Sequence, residues 1–543
     1  MTKIEKIVLM TGVTSLLILL LCNSVFASVD QSSEDNTLRI GVSKVYDRVG
    51  FFPPGTGHSY YQSVILPVNS PLIFVDMNGD MKPALAKSWV NKDDGKTWII
   101  HLEEKAKWHD GQPVTSRDLK FSSEFNRKRD SRVDEFMNEY LDSIETPDEH
   151  TLVYKLKKPF SPFLSWLHPA GLSTIIPEHI WKDVSPDKAK ESDNMVGNGP
   201  FIFEKLDKVR NVIILKANEN YFGEKPNVSK VELHMFKGAD TMLMALKKGN
   251  IDVAGMIRGL SIPSLLSETN IKIAVTPSGS VDNLIFNMRN YPLNITAVRQ
   301  AMAYSIDYKQ LTEIAVLNYG EVGGYAPDVT PDMWWFDETA IKYTRNVTRA
   351  NLLLNTTGFK DSDEDGIREL PNGDDLSIDL YVPAPDANYI REAELIRNWM
   401  KESGIKVEIK GVDYSVWVDE FLHKHTFDTI IEGTTLIDSP FKSAYIDLIY
   451  CDMPGYKNES QKFMALVDSM LSETSIKEQK KLSFDIQQMV SEDVPGVSLY
   501  STQIIDAYRT DKFGGFVQLP FDGIVNYQSM IKATRAGSLS LNA

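Results

Sequence analysis

Residues 279–311, GSVDNLIFNMRNYPLNITAVRQAMAYSIDYKQL, pass from a hydrophobic period of two to one of 3.6 within a single stretch. No other feature limits the fold as much. Leu284, Phe286 and Met288 fall on one face of an extended segment, with Asn283, Ile285 and Asn287 on the other. That alternation reads as a strand with one apolar face. A turn containing Pro292 follows, and Asn294 or Thr296 is placed to cap a helix. Val298, Ala301, Met302 and Ile306 then recur at helical spacing, leaving Arg299 and Gln300 pointing elsewhere. The stretch is one βα unit.

A chain of 543 residues exceeds what one hydrophobic core organises, so two or three lobes are expected. Its formal charge of −16 argues against a nucleic-acid partner and against electrostatic binding to an anionic membrane. The N-terminus reads as a secretion signal. Lys3 and Lys6 precede a mostly apolar run over 7–22, and Val25-Phe26-Ala27 suits cleavage after Ala27. An uncleaved anchor and a lipid on Cys22 are the alternatives. Thr11, Gly12, Thr14 and Ser15 interrupt the first, and Leu21 occupies the small-residue position the second requires. After such a cut only Cys451 remains; one thiol forms no internal disulfide, and it reads as inert.

Along the chain, Leu38–Val42 reads as the first strand, and Tyr46–Tyr61 as an irregular aromatic loop. Asp94-Gly95 marks a hairpin between SWV and the alternating Trp98, Ile100 and Leu102. Asp110-Gly111 makes a second turn, and Thr115 or Ser116 caps a helix with Asp118 in its first turn. His109 reads as a turn-stabilising residue rather than a metal ligand or base. Gly197-Asn198-Gly199-Pro200 fails as a nucleotide loop, because Pro200 follows at once and no third glycine opens a helix; the glycines read as positive-φ turn positions. Asp361, Asp363, Asp365 and Gly366 match the start of a calcium loop, but Asn372 stands where the chelating Glu belongs. Bound calcium and a solvated acidic turn are both open there. Asn227, Asn294, Asn346, Asn355 and Asn458 begin N-x-S/T sequons, candidate glycosylation sites in an exported protein.

Several blocks resemble the family 5 extracellular solute-binding proteins, the oligopeptide, dipeptide and nickel receptors of ABC importers. They are LAKSWVNKDDGKTWIIHL, KWHDGQPVTSRDLKF, VGNGPF, ALKKGNID, NLIFNMRNYPLNITAVRQAMAYSID, GIKVEI and EDVPGVSLY, and the match runs from about residue 38 to about 525. The resemblance implies an α/β fold of the type II periplasmic-binding-protein kind, with two lobes and an inserted third subdomain. Its expected boundaries are a signal peptide over 1–27, a lead-in over 28–37 and a first lobe over 38–280, the insert spanning about 76–210. The second lobe covers 281–499, and 500–543 return to the first.

HExxH, GxSxG, CxxC and Walker sequences are missing, and His423 and His425 at i, i+2 would not share a helix face. The expectation is therefore a receptor, not an enzyme, without cofactor or resident metal. Its ligand is a short peptide or another small solute, and its partner a membrane ABC permease. It acts as a monomer outside the cytoplasm, periplasmic if the cell has an outer membrane. A nickel or metal-chelate receptor is the alternative within the family; an extracellular hydrolase or a sensor component are the alternatives outside it. Where the family places its cleft, the candidate ligand-binding residues are Tyr46, Phe51, Phe286, Asn287, Trp334, Trp335 and Trp417, aromatics and a placed amide suited to an apolar cleft. Asp438 is the candidate counter-ion for a ligand ammonium. It sits in GTTLIDSP, which lacks the tryptophan of the family's G-W…D-P segment and has a serine between Asp438 and Pro440.

Overall fold

The structure is a computed structural model that describes residues 36–52, 58–75, 81–167, 174–331, 333–384, 387–435, 455–456 and 460–539. The N-terminal signal, Asp438 and Cys451 lie outside the described residues.

Strand β1 (Thr37–Val42) is followed by a short antiparallel pair, β2 (Ile73–Val75) and β3 (Met81–Pro83). Next comes a four-stranded antiparallel sheet of β4 (Ala86–Lys92), β5 (Thr97–Leu102), β6 (Leu141–Asp148) and β7 (Thr151–Leu156), in the order β4-β5-β7-β6. The hairpin expected at Asp94-Gly95 joins β4 to β5, with Trp98, Ile100 and Leu102 on the buried face. The helix Ser116–Arg129 starts as its sequence predicts: Asp118 Oδ2 accepts from the Thr115 backbone N–H at 2.8 Å and its hydroxyl at 2.9 Å.

The remaining large strands are β8 (Phe201–Asp207), β9 (Val212–Ala217), β10 (Lys230–Met235), β11 (Val253–Ala254) and β12 (Ile271–Phe286). They are followed by β13 (Ser377–Pro383), β14 (Lys406–Val412), β15 (Thr429–Thr435) and β16 (Gly496–Arg509). With β1 they make one ten-stranded sheet, ordered β14-β13-β15-β12-β16-β11-β1-β10-β9-β8. The sheet has two halves. β11, β1 and β10 are parallel on one side, and β14, β13 and β15 on the other. Only the long antiparallel strands β12 and β16 carry the chain between them. Ile271–Pro277 pairs with residues 503–509, the register breaks between Pro277 and Val281, and Val281–Ile285 then pairs with residues 496–501.

Each half has its own core. Leu38, Val64, Trp181, Phe201, Leu215 and Val231 belong to one; Leu284, Phe286, Met302, Leu354, Leu380 and Val497 to another. A third core, including Leu85, Trp98, Trp108, Leu152 and Phe160, lies under the four-stranded sheet. Among the described residues no helix is long and apolar enough to cross a membrane.

Three local expectations are corrected. The strand at 283–287 has no polar face toward solvent: Asn283 and Asn287 are as buried as Leu284 and Phe286, because elements pack on both sides of the sheet. The helix Thr296–Ser305 is capped by neither Asn294 nor Thr296; its N-cap is Ile295, and the Thr296 hydroxyl accepts from Arg299 instead. Arg299 itself is 1% exposed. Gly197 and Gly199 do not have positive φ. They are glycines because a Cβ would lie 2.0 Å from Val68 O and 2.5 Å from Pro67 O: two backbones approach there with no room for a side chain.

His109 secures that approach. Its Nδ1 accepts from the Gly197 N–H at 3.3 Å, and its Nε2 lies 3.1 Å from Gly199 O, so the neutral Nε2–H tautomer satisfies both ring nitrogens. Burial pushes its pKa down to about 4.

Candidate functional site

The crossing strands bring two polar rows together at the edge of the second half-sheet. In the first row Asp282 stands in register between Gly433 on β15 and Tyr500 on β16. The Tyr500 hydroxyl lies 2.6 Å from Asp282 Oδ2 and 2.5 Å from Glu392 Oε1, which comes from the helix Ala387–Lys401. Burial, then the two carboxylates, raise the Tyr500 pKa well above that of a free phenol. A Cβ at Gly433 would lie 2.7 Å from both Asp282 Oδ1 and Tyr389 Oη, so at least one of these side chains would have to move to admit it.

The second row faces the opposite side. The Asn283 amide donates to Asp328 Oδ1 at 2.8 Å and Glu432 Oε1 at 2.6 Å, while its oxygen accepts from the Asp328 N–H at 3.0 Å. The Thr434 hydroxyl donates to Glu432 Oε2 at 2.7 Å. Asp328 is held at φ 61°, a left-handed conformation that Asp tolerates better than most residues. Strand alternation sets what flanks this row. Two residues before Asn283, Val281 packs with Met333 and Trp335; two residues after, Ile285 packs with Trp417, Phe427 and Ile430. A buried carboxylate pair thus sits between two tryptophans on one face of β12.

Of the expected site residues, Trp334 and Trp335 pack beside Val281 and Trp417 beside Ile285, at two separate points along this face. Trp334 is half-buried and stands perpendicular to Trp335, ring centroids 5.4 Å apart. The indole N–H groups of both are buried and have no hydrogen-bond partner among the described residues. Phe286 is on the same strand but turned to the other face, in the second half's main core. Asn287 is fully buried and donates to the carbonyls of His425 and Phe427 at 2.9 and 2.8 Å, fixing the loop before β15. Tyr46 and Phe51 belong to the first half's core, Tyr46 edge-on to Tyr60 at 4.8 Å and Phe51 against Trp181 at 6.3 Å.

Asp282, Asn283, Asp328, Glu392, Glu432 and Tyr500 were not singled out by the sequence. The available signal was weak: Asp282 and Glu432 are acidic residues inside runs that otherwise read as buried strand. At the acidic turn, oxygens of Asp361, Asp363 and Glu369 lie within 4.8 Å of one another. Asp365 Oδ1 instead accepts from the Ile367 N–H.

Comparison with known proteins follows this geometry. A family profile described as "Bacterial extracellular solute-binding proteins, family 5 Middle" matches residues 80–454. A protein of Escherichia coli K12 named as a probable D,D-dipeptide-binding periplasmic protein is 32% identical over 278 residues, 51% of this chain and 52% of that relative. That alignment therefore spans about half of the relative's length. The oligopeptide-binding protein AppA of Bacillus subtilis is 26% identical over 444 residues, 78% of each chain. Among solved structures, NikZ of Campylobacter jejuni in complex with Ni(L-His) superposes with a TM-score of 0.73 at 22% identity, covering 92% of this chain and all of that one. The α/β architecture is thus that of the type II periplasmic binding proteins.

Proposed function

This chain belongs to the bacterial extracellular solute-binding proteins of family 5, and from that premise we propose that it is the solute receptor of an ABC importer. Its ligand on this reading is a short peptide, captured outside the cytoplasm by a monomer and delivered to a membrane permease. The protein performs no covalent chemistry. The observation that carries the proposal is the division of one sheet into two halves joined only by β12 and β16, with the tryptophan-flanked carboxylates beside the joint. Such a joint suits a hinge, and lobes closing about it bury a ligand and shift the population toward the closed form.

We read residues 38–280 and 500–543 as the first lobe, with 76–210 inserted, and 281–499 as the second. The separate cores of the two half-sheets support the two lobes, and the core under the four-stranded sheet supports an insert, although Trp181 and Phe201, within 76–210, pack in the first lobe's core. Trp334, Trp335 and Trp417 then supply the apolar wall. The Asp328–Glu432 row, on the tryptophan face of β12, supplies a negative end for a ligand ammonium, and Asp438 is a further acidic candidate by its place in the sequence. The names of the two relatives, a dipeptide and an oligopeptide receptor, support a peptide. A nickel-chelate receptor is the second reading, supported by the likeness to NikZ.

Native mass spectrometry of the secreted protein, purified without denaturation, tests this. A released adduct with a peptide fragmentation pattern supports the first reading, and a nickel isotope pattern the second. Failure of a di- to pentapeptide library to raise the melting temperature, together with an adduct-free spectrum, would sink the peptide assignment; ligand at 100 times Kd stabilises by about 2.7 kcal/mol.

A further inference from the structure

The inserted sheet and the paired helices Gln461–Ser472 and Ile476–Asp493 belong to separate cores, yet they touch. The helix Gln461–Ser472 ends, as every helix does, on carbonyls with no donor from its own next turn. One residue of the inserted subdomain takes two of them. The Ser161 N–H donates to Leu471 O at 2.9 Å, and its hydroxyl donates to Met470 O at 3.3 Å. The Leu471 side chain packs against both cores at once. A Cβ on Gly95, in the β4–β5 turn, would lie 3.4 Å from the Thr474 methyl group.

Between these two parts the chain runs through the first half-sheet and crosses to the second along β12, returning only later along β16. The Ser161–Leu471 contact joins the inserted subdomain to the second lobe at a point separate from the crossing strands. We propose that Ser161 and the C-terminus of helix Gln461–Ser472 form a latch between the inserted subdomain and the second lobe, and that this latch sets the ratio of closed to open receptor. The inference rests on the two-lobe reading above. The contact suits a reversible role. It consists of two hydrogen bonds and one shared leucine, and the released carbonyls can turn to water. Each net hydrogen bond lost is expected to lower the closed-to-open ratio about fivefold.

The test uses the chain from residue 28 onward, with Cys451→Ser and spin labels on Lys105→Cys and Lys477→Cys, both exposed positions. Electron–electron distance distributions are recorded without added solute. Ser161→Ala removes the hydroxyl, Ser161→Pro also removes the N–H, and Leu471→Ala removes the shared packing. The expected result is a longer-distance population, small in Ser161→Ala and larger in the other two, with solute affinity falling in the same order. Superimposable distributions in all variants that retain the wild-type circular dichroism would overturn the latch. If Ser161→Pro does not fold, the other two variants decide. Loss of the receptor reading would instead appear as wild-type protein that retains no solute, an outcome independent of the distances.

Discussion

The guanidinium of Arg299 donates from Nη2 to the carbonyl oxygen of Asp493 at 2.5 Å, across 194 residues of chain. Its Nε donates to Val494 O at 2.9 Å and its Nη1 to Leu293 O at 2.6 Å. Asp493 is the last residue of the helix Ile476–Asp493. A buried cation therefore completes the helix's unsatisfied carbonyls at its negative end. Burial lowers the Arg299 pKa to about 10, which leaves it charged at neutral pH.

Removing that cation orphans several buried carbonyls together. Arg299→Met is expected to destabilise the protein by about 3 kcal/mol, and Arg299→Lys by somewhat less because three donors remain without the planar fork. Urea midpoints at constant slope provide the measurement.

His109 makes stability fall on acidification. Its folded pKa of about 4 lies below the ordinary 6.5, so below pH 6.5 the unfolded chain takes up a proton that the native ring refuses. Its contribution is complete above pH 6.5 and is lost as pH falls toward 4, by up to about 3 kcal/mol. Relative to wild type, His109→Gln should lose that slope in urea titrations between pH 6.5 and 4.

Asp506 acts in the opposite sense. Burial raises its pKa to about 6, against the pull of the Met256 and Ile524 N–H groups. The native carboxyl holds its proton above the ordinary 3.8, so stability is greatest below pH 3.8 and is lost as pH rises through 6. The Asp506→Asn variant should therefore lose less stability than wild type from pH 4 to 6. Equal pH slopes for the two proteins would contradict this.

Gly433→Ala forces a methyl against Asp282 and Tyr389. The expected loss is about 1–3 kcal/mol of stability, as for overpacking elsewhere. The same shift should weaken solute binding, read by calorimetry on the refolded variant.

Trp334 and Trp335 should separate by function. Trp335 is 1% exposed, and Trp335→Ala is expected to cost about 3–5 kcal/mol of stability. For the half-buried Trp334, substitution by Ala should mainly lower solute affinity, by the ~2 kcal/mol typical of an aromatic anchor. Unchanged affinity in Trp334→Ala would remove it from the site.

The local elements were legible in the sequence because they are enforced by neighbours in the chain. The Asp94-Gly95 hairpin, the Thr115–Asp118 cap and the strand-to-helix change after Phe286 all depend on residues a few positions apart. The family blocks were legible for the same reason. Tertiary structure decided what a period of two leaves open: whether the second face of a strand meets water or protein. Asn283 reads as a solvent-facing position until Asp328 and Glu432 arrive from 45 and 149 residues away. Arg299 reads only as a residue off the helix's apolar stripe until the end of another helix is packed upon it. Burial of a polar group is decided by partners distant in sequence, and so the carboxylate rows beside β12 emerge only when the strands are assembled.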